Sequence, residues 1–315
     1  MNISTIKLVA LFAMVASHIS CVFGFSGWML LPNSINSVFL YHLNIFAFVI
    51  FAFALINGWH YTKNKAKHFQ KMVLFALLSQ IPYSLAMATA NRIPLSLIET
   101  NDFFHIYLMP GYYIIFIVVI TLLAFFYALK KKSLHFNSYD KWLFVLTFFN
   151  LWSIRIQNIY LLTDLLNIFN LYVCAFLIIG HYESFQNKNA DFKPSPISSI
   201  PFLLITLINA DYHYGVYFAC IILILLLYFT YDKKVLRCIA TIFWAFVFYA
   251  IVPFLFDGNI HMDMVLIAAI SALLLLFYQK EKIPYIKNFF YIFYPLHLFC
   301  IGIFSMLIKF NILNF

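Results

Sequence analysis

Two histidines in this chain lie inside long apolar runs. His18 closes the stretch IKLVALFAMVASH (Ile6 to His18), and His297 sits in FYIFYPLHLF (Phe290 to Phe299) beside a proline. Imidazole takes up and returns a proton near neutral pH, which is what a general base does in group transfer. Ionisable side chains deep in a membrane span are expensive, roughly 2.5–3.5 kcal/mol at the centre for charged types, and mark functional positions by default. Lys7 precedes His18 by eleven residues, about three helical turns, so the two share a face roughly 16 Å apart along the axis. A surface cation with an imidazole below it suits a ligand with an anionic head and an inward-reaching reactive group, as phosphate-rich coenzyme A is. Topology alone also places a lysine at a cytoplasmic helix end. Around the second histidine, Tyr291, Tyr294 and His297 recur every three residues on one face. Pro295 removes a backbone donor there and frees a carbonyl, features that also fit a kinked helix with a satisfied histidine.

Other polar residues fall inside apolar runs. Asp164, Asn167 and Asn170 share one side of a segment; Ser79 and Gln80 precede Pro82 in LLSQIPY; Asn44 and Asn57 stand near opposite ends of another. Each also fits an interhelical hydrogen bond worth about 0.6 kcal/mol. The remaining histidines, His42 among them, occur at segment ends or in breaks, where interfacial solvation explains them. No glycine-rich phosphate loop, H-E-x-x-H, G-x-S-x-G or usefully spaced carboxylate pair is present, which removes the common soluble hydrolase and nucleotide-binding readings. The five cysteines lack metal-finger or C-x-x-C spacing and read as packing residues, with no metal implied.

These residues need apolar helices to hold them. The 315 residues are 64% hydrophobic, 21% aromatic and 10% charged, with a mean hydropathy of +0.92, which predicts an all-α polytopic membrane helix bundle. Apolar runs fall near 6–25, 37–58, 69–89, 106–129, 141–157, 159–180, 196–210, 213–230, 236–255, 263–279 and 288–308. That gives ten or eleven transmembrane helices, the fifth and seventh being short, in a single domain spanning residues 1–315. The first run reads as a retained helix. The break KPSPISSIP is expected to start a short helix.

Alternate breaks carry the cations, and with Lys7 they place 17 of the 20 Lys and Arg on one side. That side is assigned to the cytoplasm, with the N-terminus in it. Arg92, Arg155 and Lys309 fall opposite, with Asp164, Asp211 and Asp263. The net charge of +9 therefore reads as membrane topology, with lipid as the partner and no nucleic acid.

Several stretches together resemble the TraX family of membrane proteins, known for acetylating the N-terminus of conjugative pilin. They are IKLVALFAMVASH, FAFALINGWHYTKN (Phe51 to Asn64), LFALLSQIPY (Leu74 to Tyr83), LNIFNLYVCAFLIIG (Leu166 to Gly180), ADYHYGVY (Ala210 to Tyr217) and FFYIFYPLHLF (Phe289 to Phe299). The basic residue eleven places before His18 is similar to a motif of acyltransferase-3 membrane families. The resemblance implies a bacterial inner-membrane enzyme that moves an acetyl group from cytoplasmic acetyl-CoA to an amine or hydroxyl, a pilin N-terminus or a glycan. It implies Lys7 at the coenzyme A end, His18 as catalytic base or transient acyl carrier, and His297, beside Tyr294, as a second catalytic residue that stabilises the oxyanion or holds the acceptor. Ser17, Asn57, Gln80, Asp164, Asn167, Asp211 and Tyr294 are the supporting candidates. The chain departs from the family pattern at Ser17 (usually Asp), Asn44–Ile45 (usually Gly-Arg) and Asn57 (usually Glu). It also carries an insertion near 90–160 with two expected helices. On this reading His18 and His297 approach each other across a helix interface, facing a cavity open to the cytoplasm.

Two other functions fit the composition. A proton-coupled transporter or flippase would use the histidines as a relay and the prolines as helix breaks, although buried carboxylates are few and no internal repeat is visible. An acyltransferase fold without activity would serve as a membrane assembly or immunity partner.

Overall fold

In hydrocarbon every backbone N–H and C=O needs an internal partner, so a chain this apolar can cross a bilayer only as helices or a closed barrel. The computed structural model describes residues 3–24, 35–90, 137–157, 168–211, 216–278 and 289–309, and there the answer is helices, ten of them with no strand. They are α1 (Ile3–Ile19), α2 (Ile35–Tyr61), α3 (Lys65–Ala90), α4 (Ser138–Gln157), α5 (Ile168–Gln186), α6 (Pro196–Asp211), α7 (Val216–Phe229), α8 (Lys234–Asp257), α9 (Met262–Leu276) and α10 (Phe289–Lys309). A wider π turn, Ser20–Gly24, extends α1, and another, Val247–Ile251, lies within α8. Among the described residues, four stretches are long and apolar enough to cross a membrane: Thr5–Phe23, His42–Tyr61, Ile168–Gln186 and Lys234–Leu255. The expected span at 106–129 lies outside the described residues.

Local sequence explains the helix ends. α6 begins at Pro196, whose missing N–H is harmless in a first turn. α8 stops at Gly258, whose φ of +68° is a left-handed conformation that favours glycine. The surface of α8 inverts the soluble pattern. Val235, Leu236, Ile239, Phe243 and Phe246 are exposed, while Arg237, Cys238, Thr241, Trp244 and Ala245 are buried. Such a helix is stable only where its outer solvent is lipid.

The helices gather into two units, Met1–Lys63 with Val216–Phe315, and Asn64–Gly215. In the first, α1 packs on α2, α2 on α7 and α9, α8 on α7 and α9, and α10 on α1 and its π turn. Trp244 of α8 donates its indole N–H to the Ala219 carbonyl of α7 at 2.7 Å.

In the second unit α3 packs on α4 and α5, and α6 on α4 and α5. Asp140, buried in the first turn of α4, accepts hydrogen bonds from the Ser198 hydroxyl (2.6 Å) and the backbone N–H groups of Ser195 and Asn137. One carboxylate thereby caps α4 and ties it to the start of α6. Lys65 and Glu183 form an ion pair at 2.7 Å between α3 and α5. Phe192 lies over Gly180, so closely that a Cβ there would collide with its ring.

Candidate functional site

α1 has neither glycine nor proline between Ile3 and Ile19, so Lys7 and His18 lie on one uninterrupted helix. Lys7 is half-buried, Ser17 is buried and His18 is half-buried two residues before the π turn begins. Single π turns recur at functional positions because they re-aim the side chains beside them. From α10, Tyr294 and His297 are buried.

The two imidazoles meet. Nδ1 of His18 lies 2.8 Å from Nε2 of His297. Their planes are within 19° of parallel and their centroids are 5.1 Å apart. With the nitrogens this close, that separation is one hydrogen bond plus the two ring radii. The rings therefore meet edge to edge in nearly one plane, with the bond along the N–H and lone-pair direction. The other nitrogen of His297, Nδ1, lies 2.9 Å from the Phe293 carbonyl of its own helix. Around the pair, the Phe293 ring runs within 14° of parallel to His297 at 5.2 Å, and Tyr294 is edge-on to both histidines at 6.2 and 5.6 Å.

Asn57 belongs to a second cluster in this unit. Its Oδ1 accepts hydrogen bonds from the hydroxyls of Tyr231 (2.6 Å) and Tyr278 (2.9 Å). Beneath these phenols, the buried Arg237 guanidinium donates to the carbonyls of Tyr231 (2.7 Å) and Leu275 (3.1 Å) and sits 4.4 Å from the centre of the Phe53 ring. Arg237, one of the cations that the charge pattern places on the cytoplasmic side, is buried, and its guanidinium ties the turn after α7 to the C-terminal end of α9. His42, expected at an ordinary interface, is buried and paired with Asp263 of α9.

The remaining candidates fall elsewhere. Gln80, in the second unit, accepts from the Asn170 amide at 3.4 Å, and Asn170 accepts from Asn150 at 2.8 Å, so the three form a buried ladder joining α3, α5 and α4. Asp211 ends α6. Asp164 and Asn167 lie outside the described residues. Sequence reading did not single out Arg237, Tyr231 or Tyr278. A signal was present for the first, since Arg237, Thr241 and Trp244 recur at helical spacing on an otherwise apolar helix.

Fold and site define an all-helical membrane protein with a hydrogen-bonded histidine pair between its first and last described helices. Compared with known families, the chain belongs to TraX: a model of that family, described as "TraX protein", matches residues 2–185 and, in a second alignment, residues 114–305. No curated protein and no solved structure matches the chain.

Proposed function

We propose that the chain is an acetyl-CoA-dependent acyltransferase of the bacterial inner membrane, with its N-terminus in the cytoplasm and an amine or hydroxyl acceptor such as a pilin N-terminus or a glycan. The observation that carries this reading is the 2.8 Å bond between His18 and His297, which joins the two most specific stretches of the family resemblance. A thioester is already activated, so the protein has to position the acceptor and remove its proton. His18 takes that proton as the acceptor nitrogen or oxygen attacks the carbonyl carbon. The C–S bond then breaks, and the coenzyme A thiolate leaves with the proton that His18 held. Lys7, three turns away on the same face, suits the anionic end of the coenzyme.

The test incubates membranes carrying the protein with radiolabelled acetyl-CoA and either pilin or a glycan acceptor. His18→Ala should lower transfer by about 10²–10⁴-fold, the usual weight of general-base catalysis. Transfer at the wild-type rate in that variant would end the assignment. An inactive assembly partner of the same fold is the second reading. It is favoured by the burial of Ser17, Ile45 and Asn57, neutral residues at family positions that are usually charged. Undetectable acetyl-CoA binding would select it.

A further inference from the structure

We infer that His297 is a positioning residue that fixes the tautomer of His18, so that Nε2 of His18 is the nitrogen that meets the acceptor. The inference rests on the acyltransferase reading of the site. It starts from the Phe293 carbonyl, which can only accept, so the nitrogen facing it at 2.9 Å, Nδ1 of His297, carries the hydrogen. In neutral imidazole one nitrogen donates and the other accepts. Nε2 of His297 is therefore the acceptor, and Nδ1 of His18, 2.8 Å away, is the donor. A neutral His18 protonated at Nδ1 holds its lone pair on Nε2.

The direction of this chain is set locally. His297 reaches the carbonyl four residues earlier on its own helix, so α10 alone orients its ring, and the parallel Phe293 ring supports that rotamer. With Nδ1 on the carbonyl and Nε2 on His18, neither nitrogen of His297 is left to face an oxyanion. Its work passes through His18 instead. When Nε2 of His18 takes the acceptor's proton, its Nδ1 proton can shift to Nε2 of His297. The positive charge is then shared by two rings and directed at a carbonyl oxygen. The proton returns along the same bond as Nε2 of His18 protonates the departing thiolate, and no group outside the two substrates is consumed. The arrangement parallels an imidazole held by a carboxylate in acyl-transfer triads, with a neutral ring as the orienting partner.

The test uses the full-length protein in lipid bilayers with ¹⁵N-labelled histidine, and reads transfer of radiolabelled acetyl separately. The nitrogen shifts should show both His18 and His297 protonated at Nδ1. His297→Gln keeps an oxygen that can accept from His18, and its kcat should stay within about tenfold of wild type with KM for acetyl-CoA unchanged. His297→Phe keeps an aromatic ring beside Phe293 but no acceptor, and its kcat should fall on the order of 10²–10⁴-fold. A purely structural role predicts the reverse order, since phenylalanine preserves the packing better than glutamine. An Nε2-protonated His18 in the wild type, or Phe outperforming Gln, would overturn the inference. A wild-type protein that transfers no acetyl to any acceptor would end the acyltransferase reading, while the nitrogen shifts still decide the tautomer.

Discussion

The two phenols on Asn57 allow a sharp test of whether that residue is held by structure. Tyr231 and Tyr278 donate to the same oxygen at 2.6 and 2.9 Å, and Asn57 is 2% exposed. Either tyrosine changed to phenylalanine removes one hydroxyl and leaves the oxygen its other donor, so each single change should cost about 1 kcal/mol, one ordinary hydrogen bond. The double change leaves a buried oxygen with neither donor and adds its desolvation penalty, about 1–3 kcal/mol. The pair should therefore lose about 3–5 kcal/mol, against the roughly 2 kcal/mol obtained by adding the singles. Replacing Asn57 by leucine in the doubly changed background removes the stranded oxygen and should recover most of the excess. Unfolding in detergent micelles, followed by tryptophan fluorescence against denaturant, measures these four variants against the wild type. Additivity to within about 0.5 kcal/mol would refute the reasoning, because it would mean that Asn57 finds another donor when both phenols are gone.

Arg237→Met removes two charge-assisted bonds and takes the donor from the carbonyls of Tyr231 and Leu275. It should destabilise the first unit by about 2–4 kcal/mol, offset in part by relief of a buried charge, with Arg237→Lys in between; a methionine variant as stable as wild type in the same unfolding assay would argue against the staple. In the second unit, Gly180→Val drives a side chain into the Phe192 ring and should lower the midpoint of thermal unfolding by an amount typical of overpacking, about 1–3 kcal/mol. Adding Phe192→Ala should make the valine less harmful than it is alone, and an unchanged penalty would show that the collision is relieved elsewhere.

The helices were legible because lipid rewards unbroken apolar runs, and α1 and α10 begin and end close to where those runs do. The histidine pair was legible as two positions on two faces. What made it readable was the rarity of imidazole in such runs, together with the proline beside His297. Its hydrogen-bond direction was not, since the Phe293 carbonyl orders the ring only once α10 has formed. Arg237 was hidden for a different reason. KKVLRC looks like a break rich in cations, and the helical spacing of Arg237 with Thr241 and Trp244, which marks an inward face, does not show that its partners are the carbonyls of Tyr231 and Leu275. The donors on Asn57 come from residues 174 and 221 positions away, and such pairings leave no trace in local periodicity.

The separation of the two histidines along the chain is 279 residues. At elongation rates of about 5–20 residues per second, His18 is made roughly 15–60 s before His297. During that interval α1 can already pack on α2, yet its imidazole has no ring to hold it. The pair forms only when the last described helix inserts beside the first, so whatever chemistry it performs is withheld from every unfinished chain. A protein cut anywhere ahead of α10 should insert and accumulate as a silent bundle.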